Sequence, residues 1–271
     1  MKVFITGGTG LVGSAVVAEL VAAGHTVTAL SRSASSAERA EAAGATPLRG
    51  SLTDLEVLRS GAERADGVIH LAFGNDFSSP EAIARDVTEE AGALAALTGP
   101  LIGTGRPLVT VAGTPVAPGR ASTEEDPLPT EGPVGGRSES VARVLALAPR
   151  GVRAAAVRLP RTVHHDGRGG FAGLLTEHAR RTGVAGYPGD GAQRWPAVHA
   201  VADEGVAVRA IASVIGRRLG LPVESVPEEA FGPLGPVFAT DQPASGARTR
   251  AGLGWTPVRP GLLADLENLG G

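Results

Sequence analysis

Short apolar runs rich in β-branched residues alternate with longer helical patterns along the first half of the chain. The runs that predict strands are 3–6, 26–30, 67–71, 107–111 and 152–158. The patterns that predict helices are 11–23, 34–43, 80–97 and 138–148. Strands that alternate with helices form βαβ units, whose parallel sheet is covered on both faces. The pattern therefore predicts an α/β fold with a doubly wound parallel sheet.

This regularity ends near residue 160. Glycines and positive charges dominate 161–196, a further helical pattern spans 205–219, and prolines recur in 222–271. We therefore expect two parts. Residues 1–160 form the sheet domain, and residues 161–271 form a smaller C-terminal lobe from which chain segments can return to the sheet.

Composition excludes several functional classes. The 271 residues include no cysteine, so a disulfide framework, a thiolate metal site and a cysteine nucleophile are impossible. The net charge of −3 argues against nucleic-acid binding. No apolar run reaches the roughly 18 residues of a membrane span, and the first residues lack the layout of a signal peptide. We expect a cytoplasmic protein without a nucleic-acid or membrane partner.

A glycine-rich loop joins the first predicted strand to the first predicted helix. Glycines in this position form a tight turn, admit a pyrophosphate against the backbone and let the helix pack on the strand, while the helix N-terminus offers free N–H groups. The loop therefore predicts a Rossmann-type, dinucleotide-binding domain over residues 1–160. The alternative is an ordinary glycine-rich turn. The predicted contact residues are Gly7, Thr9, Gly10, Leu11, Val12 and Gly13.

Ser31, Arg32 and Ser33 follow the second predicted strand, where an NAD-specific site places an acid for the ribose hydroxyls. A guanidinium and two hydroxyls are instead suited to the 2′-phosphate of NADP. We therefore predict NADP(H) as the cofactor, with a solvated surface arginine as the alternative.

Together with further motifs, this loop resembles the extended and atypical short-chain dehydrogenase/reductases, the epimerase/dehydratase-like superfamily. The resemblance covers most of the chain. The residues that carry it are the Gly7, Gly10 and Gly13 spacing, Asp54, His70-Leu71-Ala72, Val157-Arg158-Leu159-Pro160, Trp195-Pro196-Ala197-Val198-His199 and Leu253-Gly254-Trp255.

The resemblance implies further cofactor contacts. Asp54 would contact the adenine amine, Leu71 and Ala72 would lie against the cofactor with Ala72 at the adenosine ribose, and the range 159–162, with Leu159 and Pro160, would border the nicotinamide. On physical grounds, Asp54 is equally an acid favoured at a helix N-terminus.

Two departures from the family pattern stand out. Redox members use a tyrosine and a lysine four residues later, but the stretch 132–140 holds neither, and the chain has one lysine, Lys2, and one tyrosine, Tyr187. In addition, about one helix is missing after His199. Such a gap would leave the nicotinamide side open or invite a partner subunit, so a homodimer is one expectation.

Other residues are therefore candidates for proton transfer. Thr114 follows the predicted strand 107–111, with Thr110 as the next hydroxyl candidate; ordinary threonines at a strand end are the alternative. His164 and His165 follow the predicted strand 152–158, at the sheet edge where doubly wound folds bind ligands, and histidine is the usual acid or base near neutral pH. A polar loop is the alternative for this pair. We expect His70 to be a packed, hydrogen-bonded histidine.

The substrate pocket is predicted to include Phe73, Trp195 and His199. Arg137 is a candidate for holding an anionic group, with a solvated arginine at a helix start as the alternative. The histidine spacings match no metal motif, so no metal site is predicted.

Three hypotheses for function follow. The first is an NADP(H)-dependent oxidoreductase that reduces a carbonyl or alkene of a small organic substrate. The second is a non-redox cyclase, isomerase or dehydratase on the same fold. The third is an NADP(H)-sensing regulatory protein without turnover.

Overall fold

The structure, a computed structural model, describes residues 1–132, 134–197 and 202–269. Its strands are β1 (Lys2–Thr6), β2 (Thr26–Ser31), β3 (Thr46–Arg49), β4 (Gly67–His70), β5 (Pro107–Gly113), β6 (Arg153–Leu159), β7 (Ala185–Pro188), β8 (Arg194–Ala197), β9 (Asp203–Ala207) and β10 (Val223–Val226). Its helices are α1 (Leu11–Ala22), α2 (Ala34–Ala42), α3 (Leu55–Glu63), α4 (Pro80–Thr98), α5 (Gly135–Leu145), α6 (Gly170–Thr182), α7 (Val208–Leu219), α8 (Gly235–Ala239), α9 (Ala247–Leu253) and α10 (Leu262–Leu266).

Six strands form one sheet in the order β3–β2–β1–β4–β5–β6. The pairings of β1 with β2 and β4, of β2 with β3, and of β4 with β5 are parallel. This is the Rossmann order, which reverses direction between β1 and β4 and thereby opens a crevice at the carboxyl ends of the strands. The predicted doubly wound α/β sheet is confirmed.

Burial on both faces explains why β1 is a continuous apolar run. Phe4 belongs to a core cluster with residues of α3, α4, β4 and β5, whereas Ile5 belongs to a cluster with residues of α1 and β2. Successive side chains of a strand point to opposite faces. Helices therefore cover both faces of the sheet at β1.

The chain divides into two compact units. The first comprises residues 1–112 and 130–157, and the second comprises residues 113–129 and 158–271. In the second unit, β7 pairs with β10 in parallel and β8 pairs with β9 antiparallel. Its core includes the fully buried Trp195, Ile211 and Leu262.

Two of the predicted helices begin at other residues in the structure. The helix predicted over 205–219 begins at Val208, because residues of 203–207 form β9 and pair with β8. The helix predicted from residue 138 begins at Gly135. The hydrophobic pattern missed β3 and α3. Among the described residues, no helix combines the length and apolar content needed to cross a membrane.

Candidate functional site

The glycine loop between β1 and α1 is shaped by two close backbone approaches. Gly7 has a φ of +74°, and a Cβ on it would lie 2.7 Å from the Ala72 amide nitrogen. A Cβ on Gly13 would lie 1.9 Å from the Gly7 carbonyl oxygen. Neither position accepts a side chain. The two glycines therefore hold α1 against its own loop and the loop against the segment that follows β4.

Gly10 differs because the space beside it is open. Its φ of −80° and ψ of 178° suit any residue, and an added Cβ would meet only the Gly7 carbonyl oxygen, at 3.4 Å. No side chain caps α1 at Gly10. The first-turn N–H groups of Leu11 and Val12 are therefore left for another acceptor, and Leu11 is exposed. An open, uncapped helix N-terminus behind a glycine turn fits the pyrophosphate of a dinucleotide.

The ends of β2 and β3 present cations. Arg32 is exposed, and Arg49, the register partner of Ser31, donates from Nη2 to the Arg32 carbonyl oxygen at 3.5 Å. The Ser31 hydroxyl is buried and donates to the Ala29 carbonyl oxygen, while the Ser33 hydroxyl caps α2 by accepting from the Ser36 N–H. The two serine hydroxyls thus have local roles, and the two arginines supply the charge at this corner.

Asp54 lies exposed at the start of α3. Its Oδ2 accepts from the Ser51 N–H at 2.7 Å and from the Ser51 hydroxyl at 2.8 Å. These two hydrogen bonds lower the pKa of the carboxyl. The side chain makes no capping bond to α3. Asp54 is therefore a fixed carboxylate in the loop after β3, which is compatible with an adenine contact.

The segment after β4 lies along the glycine loop. The Leu71 N–H donates to the Thr6 carbonyl oxygen at 3.1 Å, and the Ala72 N–H approaches the Thr6 hydroxyl at 3.5 Å. Leu71, Ala72 and Phe73 are all partly exposed. The structure thus brings the predicted residues of the 71–73 segment next to the glycine loop.

His70 is fully buried behind this segment. Its Nδ1 lies 2.8 Å from the Thr6 hydroxyl, which confirms a packed, hydrogen-bonded histidine. Its Nε2 has no hydrogen-bond partner among the described residues and lies 3.9 Å from Oε1 of Glu90 in α4. Burial, helped by the charge of Arg137, lowers the pKa of His70 to about 3. The imidazole is therefore neutral near pH 7.

Arg137, at the start of α5, forms a bidentate ion pair with Glu90. Its Nε and Nη2 donate to the two carboxylate oxygens at 2.7 and 2.8 Å. Its guanidinium carbon lies 4.0 Å from the centre of the Phe73 ring. The solvated-arginine alternative is therefore wrong, because Arg137 is fixed between Glu90 and Phe73. α5 contains neither tyrosine nor lysine, since Lys2 lies in β1 and Tyr187 in β7.

In the second unit, the two adjacent histidines occupy different environments. His164 is buried, with Nδ1 2.6 Å from Oδ2 of Asp265 in α10. Asp265 also accepts from the N–H groups of Asp166 and Gly167. His165 is exposed and lies 3.4 Å from Asp166. The first imidazole therefore ties its loop to α10, while the second faces solvent.

Arg161 contacts Gln242, Val237 and Trp195 in this unit. Its Nε and Nη2 donate to Oε1 of Gln242, the first at 2.8 Å, and its Nη1 donates to the Val237 carbonyl oxygen at 2.6 Å. The Gln242 amide in turn donates to the carbonyl oxygen of the buried Thr114. Trp195 is fully buried, with its ring 5.7 Å from the guanidinium carbon.

Not every predicted site residue can be placed. His199 lies outside the described residues, as do Val198, Ala200 and Val201. Leu159 ends β6 and is partly exposed, and Pro160 is buried beside Arg161. Sequence reasoning did not single out Arg161 or Glu90. The available signal for Arg161 was its place directly after Leu159 and Pro160, inside the range predicted to border the nicotinamide.

The comparisons with known proteins agree with this geometry. The model of the NAD-dependent epimerase/dehydratase family matches residues 3–130. An uncharacterised protein of Schizosaccharomyces pombe is 38% identical over 296 aligned positions, which cover 99% of this chain and 99% of that protein. The chain therefore belongs to the NAD-dependent epimerase/dehydratase family, whose fold is that of enzymes using a nicotinamide dinucleotide.

Two further similarities are weaker, one because the sequence identity is low and the other because it covers a short stretch. Thermus thermophilus UDP-glucose 4-epimerase in complex with NAD superposes with a TM-score of 0.75 at 18% identity, covering 100% of this chain and 99% of that chain, and so shows the fold. A 4-hydroxy-2-methyl-3-oxo-4-farnesyl-3,4-dihydroquinoline-1-oxide ketoreductase of Stigmatella aurantiaca is 40% identical over 72 residues, which are 27% of this chain and 22% of that protein.

Proposed function

We propose that the chain is an NADP(H)-dependent oxidoreductase that reduces a carbonyl or an alkene of a small organic substrate without a Tyr/Lys pair. The observation that carries this proposal is the open space at Gly10, at an uncapped helix N-terminus, combined with the cations at the ends of β2 and β3. The similarity of a short stretch to a ketoreductase gives weaker support.

The cofactor preference follows from charge. Arg32 and Arg49 lie where an anionic 2′-phosphate would be bound, and Ser31 to Ser33 include no acid that would accept from the ribose hydroxyls of NAD. Arginine binds phosphate through paired N–H donors. NADP(H) is therefore favoured over NAD(H).

When bound, the reduced cofactor supplies a hydride to a carbon atom of the substrate. The chain must then supply a proton. Thr114, His164 and His165 are the side-chain candidates, and water is the alternative. The side chain of His165 is exposed to solvent, whereas His164 is buried against Asp265. Replacing each residue singly and following the pH profile of turnover separates these donors.

The cofactor assignment is tested by titrating NADPH and NADH into wild-type protein and into Arg32→Asp. A charge-assisted hydrogen bond contributes about 1.5–3 kcal/mol, so NADPH affinity should fall by about 10- to 100-fold while NADH affinity changes little. Arg39→Asp is the matched control, because Arg39 is an exposed arginine of α2 bonded to Ser35. Equal losses for the two nucleotides would remove the assignment.

The reaction class is tested by incubating the protein and NADPH with panels of ketones, aldehydes and activated alkenes. Oxidation of NADPH together with a reduced product supports the proposal. The absence of tyrosine and lysine from α5 favours one competitor, a non-redox cyclase, isomerase or dehydratase. Product formation with unchanged cofactor supports that competitor, and tight NADPH binding with no product from any panel supports a regulatory role.

A further inference from the structure

Among the described residues, Arg161 is a mostly buried cation without an anionic partner. All of its hydrogen bonds among the described residues go to neutral acceptors, the Gln242 side chain and the Val237 carbonyl oxygen. Burial lowers the pKa of this guanidinium to about 10, and no carboxylate opposes the shift. A buried charge is costly unless an opposite charge accompanies it. Within the described part of the chain, no opposite charge therefore offsets the cost of burying the Arg161 guanidinium.

A bracing role does not explain the charge. Linking Gln242 to Val237 requires hydrogen-bond donors, which a neutral amide supplies without the cost of burying a cation. The guanidinium has five N–H donors, and the bonds found among the described residues use three of them. The remaining two N–H groups have no acceptor among the described residues, and Arg161 keeps part of its surface exposed to solvent.

Two other polar groups near Arg161 are buried without partners. The indole N–H of Trp195 and the hydroxyl of Thr162 have no hydrogen-bond partner among the described residues. Thr162 follows Arg161 directly, and its N–H donates to the carbonyl oxygen of Pro196, the neighbour of Trp195. Buried donors are normally paired. A cation and two unpaired polar groups therefore lie on two adjacent backbone segments, 161–162 and β8.

The surroundings of the guanidinium are aromatic. Its carbon lies 5.1 Å from the centre of the Phe171 ring and 5.7 Å from that of the Trp195 ring. The two rings meet edge to face at 6.0 Å, and Phe238 packs against both. Rings of this kind favour an apolar or aromatic body beside the charged group of a ligand.

We propose that Arg161 binds the carboxylate of an acidic substrate whose apolar or aromatic body lies against Phe171. A carboxylate carries a single negative charge, which matches the single guanidinium. A phosphate monoester carries about 1.5 to 2 negative charges near pH 7 and would remain undercompensated. This substrate class rests on the proposed function, since the resemblance places the range 159–162 beside the nicotinamide.

The test uses the fluorescence of Trp195. In a Trp255→Phe background, Trp195 is the remaining tryptophan, so a ligand at Arg161 changes its emission. Benzoate, phenyl phosphate and inorganic phosphate are titrated without cofactor. We expect a saturable change with benzoate, at least tenfold weaker binding of phenyl phosphate, and at least a tenfold loss of benzoate affinity in Arg161→Met. The matched control is Arg180→Met, because Arg180 in α6 is exposed and already paired with Glu177.

The outcomes separate the two proposals. Equal benzoate affinity in wild-type and Arg161→Met protein, or no saturable binding of benzoate, overturns the carboxylate site. Tighter binding of phenyl phosphate than of benzoate overturns the charge-matching argument and identifies a phosphate ester instead. NADPH binding is measured in parallel and should be the same in wild-type protein and in Arg180→Met. If wild-type protein binds benzoate but does not bind NADPH, the proposed function is overturned and the carboxylate site still stands.

Discussion

Two arginines, one in each unit, show how the same side chain is used in different ways. Arg137 and Arg161 both lie over a phenylalanine ring and both have restricted exposure. Arg137 gives two donors to the buried carboxylate of Glu90, whereas the bonds that Arg161 makes within the described part of the chain all go to neutral oxygens. The first charge is compensated within the protein. The second is not, and this is the physical basis for assigning it to a ligand.

The consequence is a difference in what each substitution costs. Removing one partner of a buried ion pair leaves the other charge uncompensated and is strongly destabilising. Removing a cation that has no ionic partner also removes its desolvation cost. Breaking the Glu90–Arg137 pair in the first unit is therefore expected to lower the free energy of unfolding. Replacing Arg161 in the second unit is expected to weaken ligand binding instead.

The largest effect is expected for Glu90→Gln. This change leaves Arg137 facing a neutral amide. Because the Arg137 side chain is 26% exposed, the free energy of unfolding should fall by about 3 kcal/mol, the lower end for a broken buried pair. Urea unfolding measures it. The double variant Glu90→Leu/Arg137→Met removes both charges and should recover most of the loss. A loss below about 1 kcal/mol in the single variant would contradict a compensated pair.

The next effect is on pH dependence. His70 has a folded pKa of about 3, below the value of about 6.5 expected in the unfolded chain, so the unfolded state binds more protons between these values. The stability from the neutral imidazole is fully present above pH 6.5 and falls by up to about 1.4 kcal/mol per pH unit as the pH decreases towards 3. Unfolding free energies measured across this window should show a shallower slope in His70→Asn. Identical slopes in the two proteins would mean that His70 does not titrate as described.

The smallest effect on stability is expected for Arg161→Met. The variant loses three hydrogen bonds to neutral groups but also loses the cost of a buried charge, so its free energy of unfolding should stay within about 1 kcal/mol of wild type or rise. Thermal unfolding in the absence of ligands measures this. A loss of about 3 kcal/mol, like that expected for Glu90→Gln, would erase the contrast between the two arginines and make Arg161 a structural brace.

Local signals predicted most of the first unit. The strand predicted over 26–30 appears as β2 (Thr26–Ser31), and the loop between β1 and α1 has the turn that its glycines require. β3 and α3 were missed because both give weak periodic signals. β3 has four residues, one of which is a proline, and α3 contains Gly61. The start of α5 was placed too late because two glycines disfavour a helix. Packing overrides that preference, since a Cβ on Gly135 would lie 2.0 Å from the Thr130 carbonyl oxygen.

The polar clusters could not be predicted in the same way. Arg161 depends on Gln242, which lies 81 positions further along the chain, and Arg137 depends on Glu90, 47 positions earlier. No sequence window contains both partners. Arg32 could be singled out from the sequence because a βαβ unit fixes its position relative to the glycine loop, whereas tertiary contacts decide which buried charge is paired.

The glycine loop is assigned as the cofactor site, and Gly10→Val tests this assignment most directly. Because Gly10 has an extended backbone and open space beside it, the free energy of unfolding of the variant should lie within about 1 kcal/mol of the wild-type value. Its side chain fills the space assigned to the pyrophosphate, so NADPH affinity measured by fluorescence titration should fall at least 100-fold. Wild-type NADPH affinity in a folded Gly10→Val protein would contradict the account.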